Sequence, residues 1–468
     1  MIFFKELYSY DYKLLLFVLW IGGMVALQIY LKTKPPNINM DKPQPPMTLK
    51  KGISNSVNGI IFGRKRKHIY FSPITDEGHV FCCASSGAGK TSALAIPSIR
   101  SACKSPDLGT CFCIDISGDI SSNCDIPNKL IFDIEDPNTT PYNIFYSIDA
   151  EPVHEVKNEL LEKLAYLIMP ELNENDEAGA FFLKNGRSMF IGALITYYHQ
   201  GLDFIPICQK IVSMSYQELL YDIVDSKNDD ALRYISSFNG ANEKNSAGCK
   251  QCVDSHIKLY ATNFRMPKAI RRPIDNEICI IPNLLKQNSL FFCIPDAKTD
   301  LYGPLLGIIT AQTFDFCASR QNGESPTILF LLDEFASLHI GTNEILNAVR
   351  KYRKKNIRLM ILTQALLDLD ILYGEKVRDS ILNNIKYKVI LGITDPYSQK
   401  YFSDIIGKHK VPTTSTTVSS TATSTSYSLS EEYIVPPENF GKLKSDLYVI
   451  CDNGSFAKYQ KNFYYKYK

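Results

Sequence analysis

Lys90, Thr91, Asp333 and Glu334 are the residues of this chain whose types and spacing can do chemistry together. Lys90 and Thr91 close the stretch Ala84, Ser85, Ser86, Gly87, Ala88, Gly89, Lys90, Thr91, Ser92. Gly87 and Gly89 let backbone N–H groups turn inward around an anion. An ammonium at the next position reaches the outer phosphates of a nucleotide, and the hydroxyl after it holds Mg²⁺. All nine residues are therefore the expected phosphate cradle, with Ala84 standing where the usual pattern has its first glycine. Asp333 and Glu334 follow the apolar run 327–332. Asp333 is expected to share Mg²⁺ with Thr91, and Glu334 to polarise an attacking water. The chemistry implied is hydrolysis of ATP with Mg²⁺ as its cofactor.

Such groups work only at the tips of buried strands. The run 80–83 reads as a strand, and Leu94, Ile96 and Ile99 give the helical pattern that must follow the loop. That order of strand, loop and helix is the P-loop order, and the helix directs its positive end at the same anion. Further apolar runs at 110–115, 129–133, 289–294, 357–364 and 387–392 read as a largely parallel, buried sheet, and 278–281 as another strand. Asp115, ending one of these runs, is expected to face the crevice. Gln364 ends another. It reads either as the sensor beside the outermost phosphate or as a plain strand-end hydrogen bond. The fold class is α/β.

Helical periodicity takes over across 155–275, and the part from 196 to 275 reads as an all-α insertion. The expected domains are an anchor over 1–32, a Pro-rich linker over 33–54, a nucleotide-binding domain split into 55–195 and 276–468, and the insertion over 196–275. Arg265, Lys268, Arg271 and Arg272 fit either a solvated face or a nucleic-acid contact. The basic run 64–68 fits a solvated turn or a phosphate contact. The tract 412–430 is almost all Ser and Thr, which fits disorder or an extended edge strand.

With a formal charge of +2, global electrostatics favours no partner, so any basic surface must be local. The 13 cysteines are scattered, and many sit inside apolar runs, as free thiols do in a reducing compartment. Cys249 and Cys252 lack the second pair that a zinc site needs. The run 14–31 carries no charge and is bracketed by Lys13 and Lys32, which suits a bilayer core of about 30 Å. More lysines follow this run than precede it, so the body is expected on the cytoplasmic side.

Taken in order, these motifs resemble the type IV secretion coupling proteins. The carriers are the P-loop with Pro97 after it, Asp115 to Asp119, Pro141 to Asn143, Phe181 and Phe182 with Arg187, the acid pair with Phe335, Gln364 with Tyr373 and Gly374, and Ser403 with Gly407. The resemblance covers residues 55–468. It implies a RecA-like P-loop ATPase domain with an inserted all-α domain, anchored in the bacterial inner membrane and usually assembled as a hexameric ring. It implies that Arg353, or Arg350 on the same basic helix, is supplied in trans to a neighbour's nucleotide. Implied partners are further copies of the chain, the secretion channel, and a relaxase–DNA complex or protein effectors. The chain departs from the pattern in its single span, in Glu431 and Glu432, and in ending with the core. Rival readings are a DNA translocase of another RecA-like branch and a receptor that binds ATP without hydrolysing it.

Overall fold

The computed structural model describes residues 14–28, 47, 49–53, 56–170, 177–338, 340–418 and 423–466. The chain forms two compact units, 46–402 with 437–468, and 1–45 with 403–436.

The larger unit is built on a 12-stranded sheet. Its strands are β1 (Lys50–Gly52), β2 (Gly59–Lys65), β3 (His68–Pro73), β4 (Val80–Ala84), β5 (Gly109–Ile116), β6 (Lys129–Asp133), β7 (Ser289–Ile294), β8 (Thr327–Leu332), β9 (Ile357–Thr363) and β10 (Tyr387–Gly392), completed near the C-terminus by Asp446–Cys451 and Phe456–Gln460. From β10 the order runs β4, β9, β8, β5, β7, β6, and every pairing in that series is parallel. The strands Asp446–Cys451 and Phe456–Gln460, with β2, β3 and β1, extend the other edge antiparallel.

The apolar runs explain this arrangement. Strands β4, β5, β7, β8, β9 and β10 are buried along their whole length. A parallel sheet covered on both faces requires such continuous apolar sequence. Burying one leucine such as Leu331 contributes roughly 2 kcal/mol. Phe112 packs its ring 4.8 Å from Phe330 and 5.0 Å from Phe292 on one face. On the other face Cys82, Cys113, Leu331 and Met360 join Leu94 and Ile99 from the helix after the P-loop. That helix opens as a π-turn over Lys90–Ala95 and continues as Ile96–Ala102. Pro97 has no N–H to give a carbonyl of the preceding turn, and the wider first turn accommodates it.

The expected strand at 278–281 does not form. Only Ile280 makes a bridge, to Tyr142. The run is short and meets Pro282, which opens a 3₁₀ turn and has no N–H for a ladder.

Between β6 and β7 the chain is helical. The longer helices described there are His154–Ile168, Glu177–His199, Phe204–Ser213, Tyr216–Asp225, Asp229–Ile235 and Glu243–Thr262. Asp203, Asn228 and Asn242 cap helix starts with their side chains, and Ser215 with Glu218 forms a capping box. Glu177–His199 runs unbroken through the expected domain edge between 195 and 196. At Gly186 a Cβ would lie 2.9 Å from the Cys249 carbonyl, so a glycine lets this helix meet Glu243–Thr262 closely. Arg265, Arg271 and Arg272 are paired with Glu135, Glu277 and Asp149. All 13 cysteines are free thiols, including Cys249 and Cys252. The basic run 64–68 ends β2, turns at 66–67 and begins β3, with Arg66 left-handed at φ 59°.

In the smaller unit the Ser/Thr tract pairs with itself. β11 (Lys408–Val418) and β12 (Thr423–Tyr433) form an antiparallel two-stranded sheet, in register from Lys408 with Tyr433 to Val418 with Thr423. Residues 14–28 are helical, and 29–31 of the expected span lie outside the described residues. Among the described residues no helix is long and apolar enough to cross a membrane.

Candidate active site at the tips of the parallel strands

Because β9 lies between β4 and β8, Gln364 stands between the P-loop and the acid pair. The three elements converge on one cleft of about 420 Å³. Its walls include Ser85, Ser86, Gly87, Gly89, Lys90, Thr91, Ser92, Asp333, Glu334 and Gln364. Lys90 is buried; its Nζ donates to the Ala84 carbonyl at 3.2 Å and lies 3.3 Å from Glu334 Oε1. Gln364 Nε2 donates to the same Glu334 oxygen at 3.1 Å. Glu334 sits left-handed at φ 44°, a backbone geometry uncommon for a non-glycine residue.

The P-loop is held from below. Ser85 N–H donates to the Gly392 carbonyl at 2.8 Å, and Ser85 Oγ accepts the Thr394 N–H at 3.0 Å. Gly89 has φ 99°, and a Cβ there would lie 3.2 Å from the Phe463 ring. Only glycine meets both demands at low cost. Ala84 and Ala88 do not line the cleft. Ala84 is fully buried beneath Lys90, and the Ala88 carbonyl accepts a hydrogen bond from Lys461 Nζ at 2.8 Å.

Asp333 is 5% exposed. Burial, reinforced by the neighbouring Glu334 charge, pushes its carboxyl up to about 7. It accepts the Glu334 N–H at 3.1 Å. An ammonium, a hydroxyl at a helix start and a carboxylate at a strand tip form a donor set that fits a polyphosphate chelating a divalent cation. Lys90 would hold the polyphosphate, and Thr91 and Asp333 the cation.

Asp115 does not face the cleft. It is fully buried and accepts the N–H groups of Ile120 and Ser121 at 3.1 and 2.7 Å, capping the helix Asp119–Asn123. Ser117 and Asp119, on the turn just after it, line the cleft instead, as do Asp296, Asn123 and Tyr464. The Asp115 to Asp119 motif signalled this turn in the sequence. No local signal marked Asp296 or Tyr464.

Arg353 is exposed on the 3₁₀ turn Tyr352–Lys355, at the opposite end of β9 from Gln364. The length of β9 separates them by roughly 20 Å. Within one chain the structure does not bring Arg353 to Lys90. Arg350 donates to Ser380 Oγ at 2.7 Å.

Residues 47–468 match the family model described as type IV secretory system conjugative DNA transfer. Protein VirD4 of Agrobacterium fabrum is 22% identical over 383 residues, covering 78% of this chain. The chain spans only 55% of that relative's length. Among solved structures, the unbound bacterial conjugative coupling protein TrwBdeltaN70 superposes with a TM-score of 0.67 at 16% identity, covering 90% of this chain and 96% of that one. The plasmid coupling protein TrwB in complex with ADP and Mg²⁺ gives 0.68 at 16% identity, covering 91% and 96%. These likenesses establish a shared fold, and the match across 47–468 establishes the lineage: the chain belongs to the type IV secretory system conjugative DNA transfer family.

Proposed function

We propose that this chain is the coupling ATPase of a type IV secretion or conjugation system, using ATP hydrolysis to drive a DNA–protein complex or protein effectors into the secretion channel. The observation that carries the reading is the convergence of Lys90, Glu334 and Gln364 at one cleft on adjacent strand tips. The TrwB relatives include complexes with an ATP analogue and with ADP and Mg²⁺.

When bound, ATP supplies the phosphoanhydride and Mg²⁺ the charge that steadies its cleavage. In the structure Lys90 is paired with Glu334. A phosphate bound at Lys90 competes with that carboxylate for the ammonium, which frees Glu334 to orient a water and accept its proton. Gln364, hydrogen-bonded to Glu334, senses that release and passes it along β9. Arg353, exposed at the far end of β9, suits a role at the cleft of a second copy, so a ring of copies, six in the family's usual form, completes each site.

The helix over 14–28 leaves each large apolar side chain from Leu14 to Leu27 exposed. With the charge-free run 14–31, this supports a single-pass anchor in the bacterial inner membrane with the body cytoplasmic.

The test is ATP hydrolysis by the chain as a function of its concentration, with and without single- and double-stranded DNA. Turnover that climbs steeply with concentration and rises with DNA is expected. No hydrolysis by the chain in any assembled state overturns the reading, and turnover indifferent to DNA shifts the cargo to protein.

A further inference from the structure

The cleft is lined by the P-loop, Asp333, Glu334 and Gln364, and also by Ile96, Asn123 and Tyr464. Ile96 and Tyr464 add apolar and aromatic lining to the phosphate-binding groups. Tyr464 comes from the segment after the last strand, in which Lys461 stands 373 residues beyond Ala88 of the P-loop. That segment is fastened to the P-loop itself. Lys461, 3% exposed, donates to the carbonyls of Ala88, Leu443 and Lys444 at 2.8, 3.1 and 3.0 Å. Tyr464 N–H donates to the Ser92 carbonyl at 3.0 Å. The guanidinium of Arg100 lies 5.1 Å from the centre of the Tyr464 ring. Arg100 is itself fixed by donating twice to the Asn123 carbonyl, at 2.9 and 2.6 Å. Arg100 therefore backs the Tyr464 ring, and Tyr464 lines the cleft.

We infer that Tyr464 is the platform on which the base of the nucleotide stacks, so that the C-terminal segment sets affinity for nucleosides over bare polyphosphate. Ser92, next to Thr91 at the helix start, accepts the Tyr464 N–H, so a nucleoside that runs along this flank from phosphates held at Lys90 and Thr91 meets Tyr464. An aromatic ring offers any base a π-face without reading its edge, so purine triphosphates should be accepted alike. The inference rests on the nucleotide-binding reading of the same cleft.

The test compares ATP, GTP and inorganic tripolyphosphate binding by the full chain, using calorimetry with wild type, Tyr464→Ala and Tyr464→Phe. For Tyr464→Ala, ATP and GTP affinity should fall about tenfold or more while tripolyphosphate affinity holds. Tyr464→Phe should bind all three as wild type does. Equal weakening of ATP and tripolyphosphate by Tyr464→Ala would reduce the residue to a structural strut and overturn the inference. So would ATP affinity unchanged in Tyr464→Ala, with the nucleotide reading left standing. A wild-type chain that binds no ATP overturns that reading and this inference with it.

Discussion

Lys90 Nζ and Glu334 Oε1 stand 3.3 Å apart, so the lysine that would hold phosphate is paired with the carboxylate that would activate water. A phosphate at Lys90 competes with this carboxylate for the ammonium. Glu334→Gln removes that charge and the base together. Turnover should fall by a factor of about 10² to 10⁴ while nucleotide is still bound. Lys90→Ala should abolish binding and turnover alike. Steady-state hydrolysis beside equilibrium nucleotide binding separates the two, and wild-type turnover in Glu334→Gln would remove it from the mechanism.

Gln364 reaches the same oxygen of Glu334 at 3.1 Å. Gln364→Ala leaves the P-loop untouched. It should cost roughly tenfold in turnover with little change in affinity, since the bond lost is a single side-chain contact. An affinity loss as large as the rate loss would place the residue in nucleotide binding instead.

Arg353 lies at the end of β9 remote from Gln364. Supplied in trans, it should be worth a factor of about 10³ in turnover. Mixing decides this. Arg353→Ala and Lys90→Ala chains, each inactive, should recover partial turnover together, because an intact cleft can then face an intact arginine. No recovery on mixing, with assembly verified by light scattering, counts against the assignment.

Among the described residues Arg358 is the largest fully buried side chain. It donates to the carbonyls of Gly78 and Pro73 and to Ser72 Oγ, joining β9 to the chain that enters β4. Burial pushes its pKa down to about 10, so it stays charged at neutral pH. Arg358→Met strands those acceptors and should cost about 3 kcal/mol, seen as a fall of several degrees in the calorimetric Tm.

His79 accepts the Leu359 N–H on Nδ1 at 3.1 Å and must be neutral there. Burial, then the charges of Arg358 and Arg353, push its pKa down to about 3. The unfolded imidazole takes up a proton near its ordinary 6.5, so stability is present above that pH and lost as pH falls from about 6.5 toward 3. The slope should approach 1.4 kcal/mol per pH unit, and His79→Asn should flatten it. Denaturant melts at several pH values measure it.

The sequence alone determined the P-loop, the acid pair, Gln364 and the parallel strands beneath them. Each is a contiguous signal, an apolar run ending in chemistry, and contiguous signals survive without knowledge of neighbours. Other features depended on segments far apart in the chain. Asp115 and Asp119 look alike in sequence, and only the fold turned the first onto backbone N–H groups and the second to the cleft. The Ser/Thr tract had two readings until its halves paired with each other, because polar alternation does not specify a partner. The domain edge expected at 195 fell within one helix, since the apolar face of Glu177–His199 is continuous across it. Tyr464 and Lys461 carried no local mark of a place at the cleft; sheet order brought their segment back to the P-loop, and that order is a property of the whole core.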